Sequence, residues 1–163
     1  MSLTLCGELY GHLRGLMAVL TDPLRVLYID DDEMALTLTQ LQLLNAGIHT
    51  ETTADALEAV SILATENPTL ILLDSVMPTI DGVEFLQLMR SLQFEYPVVF
   101  FTGHGVEELA EAVQEFDILG ILDKQKDRMA LPERLQSLYA AHCGRMSSGL
   151  SPSETAAGHP AAS

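Results

Sequence analysis

Two cysteines, eight basic residues and no apolar run long enough for a bilayer are what this 163-residue chain has least of. Cys6 and Cys143 lie near opposite ends and form neither a CxxC nor a metal-ligand spacing. That excludes a disulfide scaffold and a zinc site, and makes a reducing, cytoplasmic setting the expectation. Eight Lys and Arg against 23 Asp and Glu leave a formal net charge of -15, and the basic residues form no run. Such a chain offers no nucleic-acid surface. No stretch spans a membrane. Leu3 to Leu20 is rich in apolar residues, but Glu8 interrupts it and no basic residues lead it, so it does not read as a secretory signal. What the chain does have is a hydrophobic fraction of 48%, enough for one domain with a full core.

The stretch Leu70-Ile71-Leu72-Leu73-Asp74-Ser75-Val76-Met77-Pro78 organises the rest. Four apolar residues in a row predict a buried strand, and a carboxylate follows at its carboxyl end. Burying a charge inside that strand is costly, so Asp74 is expected where the strand stops. Pro78 ends the extended run, and Asp81-Gly82 make a second turn signal. An acid on a short turn at the rim of a parallel sheet stands where ligands bind. The alternative is an Asp that merely caps the following turn.

In chain order, Leu5, Leu9, Leu13, Leu16, Met17 and Leu20 carry helical spacing, weakened by Gly7, Gly11 and Gly15. Residues 1–23 are therefore expected to be an N-terminal extension with helical spacing, unless Met17 is the true start. Leu24 to Ile29 predicts a strand that ends in Asp30-Asp31-Asp32-Glu33. Acids in a first helical turn favour the helix dipole, which accounts for Asp32 and Glu33 better than for Asp30 and Asp31. Helices are predicted over Met34–Ala46, Ala54–Thr65, from Asp81-Gly82 onward, over Val106–Phe116, and from near Pro132 to about His142. Strands are predicted over Ile48–Thr52, Leu70–Leu73, Val98–Phe101 and Ile118–Leu122. Residues 144–163 are mostly Gly, Ser, Ala and Pro without periodicity and read as a disordered tail. The domain proper is 24–143. Five strands alternating with five helices make an α/β fold, a doubly wound parallel sheet with helices on both faces.

Several strands end in chemistry: the first at Asp30-Asp31, the third at Asp74, the fourth at Thr102, the fifth near Lys124. A parallel sheet brings all these ends to one rim. Three carboxylates there cannot all stay ionised without a cation. Hard oxygen ligands with room for water suit Mg²⁺, which also binds phosphate oxygens. A carboxylate can attack phosphorus to give an aspartyl phosphate, a transfer that asks mainly for positioning and neutralised charge. Lys124 and Mg²⁺ supply positive charge, the Thr102 hydroxyl supplies a donor, and Gly103 leaves room for the phosphoryl donor.

From Arg25 to about His142 the chain resembles the receiver domain of two-component response regulators, of the chemotaxis-regulator kind. VLYIDDDE, LILLDSVMPTIDG, VVFFTGHG and the lysine of GILDK carry the likeness, in this order and on these elements. The resemblance implies a flavodoxin-like sheet of order 2-1-3-4-5. It implies Asp74 as phosphoacceptor, and Mg²⁺ held by Asp30, Asp31, Asp74 and the Val76 backbone carbonyl. It implies Thr102 as switch hydroxyl and Lys124 as phosphoryl contact. The partners implied are a histidine kinase or phosphotransfer protein and a downstream target, with no enzymatic activity beyond self-phosphorylation and self-dephosphorylation at Asp74. Two residues depart from the family. Gln125 follows the lysine where Pro is usual, so the loop is expected to turn differently. Ile121 stands three residues before the lysine where Tyr or Phe is common, so readout is expected without a ring swing.

Two other readings compete. Asp30-x-Asp32 after an apolar strand also resembles the start of haloacid-dehalogenase-type phosphatases, although Met34 stands where that family has Thr or Val and the chain is short for it. A pseudo-receiver that binds partners without phosphate is the other, against which the full set of acids, Thr and Lys argues. His104 reads as a loop histidine that could alternatively steer water. His12, His49, His142 and His159 form no ligand spacing. No DNA-binding or output domain follows, so the expectation is a stand-alone receiver or carrier, or a fragment of a hybrid kinase.

Overall fold

The computed structural model describes residues 23–147. The expected leading helix and the tail beyond Ser147 lie outside the described residues. Pro23–Tyr139 forms one compact unit. Its elements are β1 (Arg25–Ile29), α1 (Glu33–Asn45), β2 (His49–Thr53), α2 (Ala56–Thr65), β3 (Leu70–Leu73), α3 (Gly82–Ser91), β4 (Val98–Thr102), α4 (Val106–Ala112) and β5 (Gly120–Asp123). A short 3₁₀ turn, Arg128–Ala130, then leads into α5, Leu131–Ser147. All strand pairs are parallel, in the order β2-β1-β3-β4-β5.

Alternation along the strands divides the core in two, because successive side chains point to opposite faces. Leu27, Ile29, Ile71, Leu73, Val98 and Phe100 face one way, and meet Ala59 and Leu63 of α2, Phe85, Leu86 and Met89 of α3, and Leu109 of α4. Val26, Tyr28, Leu70, Leu72, Val99 and Phe101 face the other way, and meet Leu36 and Leu43 of α1 and Leu131 and Leu135 of α5. Covered on both sides, β3 and β4 are buried at every position. That is why their sequences read as unbroken apolar runs.

The starts of α1, α2 and α3 are fixed by side-chain caps. Asp32 accepts the amides of Met34 and Ala35, Asp55 those of Leu57 and Glu58. Asp81 and Glu84 form a reciprocal capping box at the head of α3. Most boundaries shift by a residue or two from the sequence expectation, and three of the shifts have a plain physical reason. Helix α4 stops at Ala112 rather than Phe116, after which Phe116 bonds back to Val113 in a tighter turn. Glu111, Glu115 and Asp117 load its carboxyl end with negative charge, which the helix dipole disfavours. Strand β5 begins at Gly120, two residues later than expected, because β4 begins at Val98 and Leu119 already donates to the Val98 carbonyl. Helix α5 continues through Gly144 to Ser147, past the expected end at His142, with Arg145 in a last turn that favours a cation.

Arg90 holds the two loops below the sheet. Its guanidinium donates to the carbonyls of Phe94 (2.7 Å), Tyr96 (3.2 Å) and Asp117 (3.3 Å). Arg90→Leu strands three carbonyls that a charged donor served. We expect a loss of about 1.5–3 kcal/mol in urea unfolding at unchanged slope. Arg90→Lys should recover only part, because one ammonium cannot span three carbonyls as a planar fork does.

Candidate functional site

Strand register builds the site. Ile29 pairs with Leu73, so the next residues, Asp30 and Asp74, leave the sheet side by side. The Asp74 amide donates to the Ile29 carbonyl at 2.9 Å. Leu73 pairs with Phe100, so two residues on Ser75 comes level with Thr102. Thr102 pairs with Asp123, and the Lys124 amide donates to the Thr102 carbonyl at 2.8 Å. Four strand ends thus bring their groups to one rim, as the sequence predicted.

Asp30, Asp31 and Asp74 each have a carboxylate oxygen within 4.8 Å of the others. Asp30 is fully buried, Asp74 is 6% exposed, and Asp31 faces solvent. Lys124 reaches in from the end of β5. Its ammonium donates to Asp30 Oδ2 and lies 3.3 Å from Asp74 Oδ1. The same ammonium stands 5.9 Å from the centre of the Phe101 ring. Burial pushes the Asp74 carboxyl up to about 6, against the pull of Lys124 and with the help of the Asp30 charge. Asp74 therefore does not act as a turn cap alone. It is a poorly solvated acid with one cationic neighbour, and a second cation would relieve it.

Thr102 closes the floor of the site, almost fully buried. Its hydroxyl donates to the His104 carbonyl at 2.8 Å and lies 2.6 Å from the Ser75 hydroxyl. The His104 side chain is exposed, and its backbone is the part that engages the site. The Val76 side chain is 64% exposed, which leaves its backbone as the part that could matter. Next to the lysine, Asp123 Oδ1 accepts the amides of Gln125 (2.7 Å) and Lys126 (3.3 Å). These amides hold the Asp123 carboxyl below its ordinary value, the Gln125 N–H most of all. This side-chain turn is how the loop manages without proline, and proline at 125 would have no N–H to give. Ile121 is half-buried and packs on the core face that holds Phe100.

Tyr28 is a participant that the sequence reading took only as a strand aromatic. It is fully buried, and its hydroxyl donates to Asp30 Oδ2. Burial, then the bond to Asp30, push the phenol well above its ordinary value. A tyrosine two residues before a strand-end acid, on the same side of the pleat, is the signal that could have found it.

The donor set suits a hard divalent cation: three carboxylates, one exposed and two buried, converge within reach of a single ion. An acid cluster at the carboxyl rim of a doubly wound sheet with this strand order places the chain in the class of chemotaxis-regulator-like α/β domains. Residues 26–136 match the model of the response regulator receiver domain, and the chain belongs to that family. Over 109 residues it is 32% identical to the alkaline phosphatase synthesis transcriptional regulatory protein PhoP of Bacillus subtilis, covering 66% of this chain and 42% of that protein. It is 30% identical over 118 residues to the response regulator MprA of a Mycobacterium species, covering 72% of this chain and 50% of that one. The chain thus spans half or less of the length of these relatives. Among solved structures, the receiver domain of the Francisella response regulator 1452 superimposes with a TM-score of 0.66 at 26% identity, over 74% of this chain and 99% of that one. Vibrio cholerae chemotaxis protein CheY4 does so with a TM-score of 0.65 at 25% identity, over 72% and 99%. Receiver domains are signalling modules, and the acidic cluster fits the phosphorylation site of such a module. Among the described residues no helix is long and apolar enough to cross a membrane.

Proposed function

We propose that Asp74 is the phosphoacceptor of this receiver domain, taking its phosphoryl group from a phosphohistidine of a histidine kinase or phosphotransfer protein in the cytoplasm. An Asp74 oxygen forms the new bond to phosphorus, the bond from phosphorus to the donor nitrogen breaks, and the imidazole leaves. The observation that carries the reading is Lys124 standing between Asp30 and Asp74, with Asp31 beside them. Asp30, Asp31, Asp74 and the Val76 carbonyl are the groups that would hold Mg²⁺. When bound, that ion neutralises charge on the transferring phosphoryl oxygens. Lys124 is placed to exchange a carboxylate for a phosphoryl oxygen, and Thr102 to donate its hydroxyl once the His104 carbonyl releases it. Ile121 offers no ring to move, so the readout runs through the loop from Gly103 to Gly105 to a downstream target protein. The phosphatase reading has less support, because Asp32 is occupied in capping α1 and Asp30 in binding Tyr28 and Lys124.

A small acyl phosphodonor with Mg²⁺ should add one base-labile phosphate, read by intact mass. Asp74→Asn should show none, and Asp31→Ala should lose most of the label together with its Mg²⁺ dependence. Full labelling of Asp74→Asn, or turnover of a phosphate ester through Asp32, would displace the proposal.

A further inference from the structure

Ser75 is half-buried and directly follows Asp74. Its hydroxyl is 2.6 Å from the Thr102 hydroxyl. Thr102 has a single proton and two oxygen neighbours. The His104 carbonyl, at 2.8 Å, can only accept. The Thr102 proton therefore lies on His104, and the Ser75 proton must lie on Thr102. The His104 amide closes the ring by donating back to Thr102 Oγ1 at 3.3 Å. Both protons have defined places, and the order is Ser75 to Thr102 to the backbone of the loop after β4.

That order has a consequence for switching, which rests on the phosphoacceptor reading above. To donate to a phosphoryl group on Asp74, Thr102 has to leave the His104 carbonyl and turn. The bond from Ser75 exists in the resting arrangement, where strand register holds the two hydroxyls level. We propose that Ser75 is a positioning residue, a latch that holds the Thr102 hydroxyl in its resting direction and so sets how readily the domain answers phosphorylation.

A group that stabilises only the resting state opposes the ligand that selects the other state. Its removal should therefore tighten binding, which general damage to the site would not do. One neutral hydrogen bond sets the scale, about three- to ten-fold in affinity. The probe is beryllofluoride with Mg²⁺, an acyl-phosphate mimic, titrated calorimetrically into the full chain. Ser75→Ala should bind it about three- to ten-fold tighter than the wild type. Ser75→Thr, which keeps the hydroxyl, should stay within about two-fold of the wild type. In a Thr102→Ala background the Ser75→Ala gain should vanish, since the latch then has nothing to hold. Without ligand, the His104 and Gly105 amides of Ser75→Ala should exchange faster. Unchanged or weaker binding by Ser75→Ala, or an equal gain in both backgrounds, would overturn the latch. If the wild type itself binds no beryllofluoride, the phosphoacceptor reading fails. The exchange rates then decide the latch alone, and unchanged rates in Ser75→Ala would end it.

Discussion

Asp74→Asn, which on the proposal above takes no phosphoryl group, is expected to melt at a higher temperature than the wild type at pH 8 in the absence of divalent cations. The reason is the cost of keeping the Asp74 charge where it is buried. Its carboxyl is raised from 3.8 to about 6, chiefly by burial, and the buried Asp30 adds to the effect. Above pH 6 the group is ionised in both the folded and the unfolded chain, and folding carries the full penalty. As the pH falls through 6 the folded carboxyl takes a proton, and by about 4 the unfolded one does too, so the penalty disappears. A displacement of this size corresponds to roughly 2–3 kcal/mol at pH 8. Asparagine keeps the shape of the side chain and removes the charge, while Lys124 retains Asp30 as its partner. Melting curves of the two proteins should thus differ by several degrees at pH 8 and coincide near pH 4. Adding Mg²⁺ at pH 8 should narrow the gap by stabilising the wild type. Equal stabilities at pH 8 without metal would mean that Asp74 is better solvated than its 6% exposure implies.

The same burial explains which parts of this site could be read from the chain. Strand β3 was legible because a strand covered on both faces leaves an uninterrupted apolar run, and the acid that follows marks where the strand ends, although Asp74 itself stays under cover at 6% exposure. The convergence of Asp30, Asp74, Thr102 and Lys124 needed one further step, that parallel strands end on one rim. The boundaries of α4 and β5 were less legible. They depend on the charge at a helix end and on where the neighbouring strand begins, and neither is expressed in local periodicity. The Tyr28 contact is local, two residues along one strand, whereas the Ser75 contact depends on register between strands distant in sequence. Ser75 and Thr102 are 27 residues apart, and only the pairing of Leu73 with Phe100 brings them level.

Gly82 shows a position that was marked in the sequence for a different physical reason than the one that governs it. Asp81-Gly82 reads as a turn signal, where glycine supplies conformational freedom. In the fold Gly82 is the first residue of α3, and its φ is not positive. What it supplies is space. A Cβ at this position would stand 2.3 Å from the Asp74 carbonyl oxygen, 2.9 Å from Cε1 of Phe100 and 3.0 Å from the Ser75 Cα. Two of these three neighbours are backbone of the Asp74-Ser75 turn, and the Gly82 amide also donates to the Ser75 carbonyl at 3.0 Å. Helix α3 cannot retreat freely, because Phe85, Leu86 and Met89 are fully buried beneath it. Alanine in an open helix position is worth up to about 1 kcal/mol over glycine. Here the sign should reverse, with Gly82→Ala losing about 1–3 kcal/mol as the Asp74 turn is pushed aside. A displacement of about 1 Å at a reacting group costs on the order of a hundred-fold in rate, so labelling by a small phosphodonor should fall more than stability does. Gly144→Ala in α5 is the internal control. Among the described residues, and apart from the helix's own backbone and chain neighbours, no atom lies within 4 Å of a Cβ placed there, so that variant should gain stability and label normally. If Gly82→Ala instead matched the wild type in both melting and labelling, the close approach of α3 to Asp74 would have no part in shaping the site.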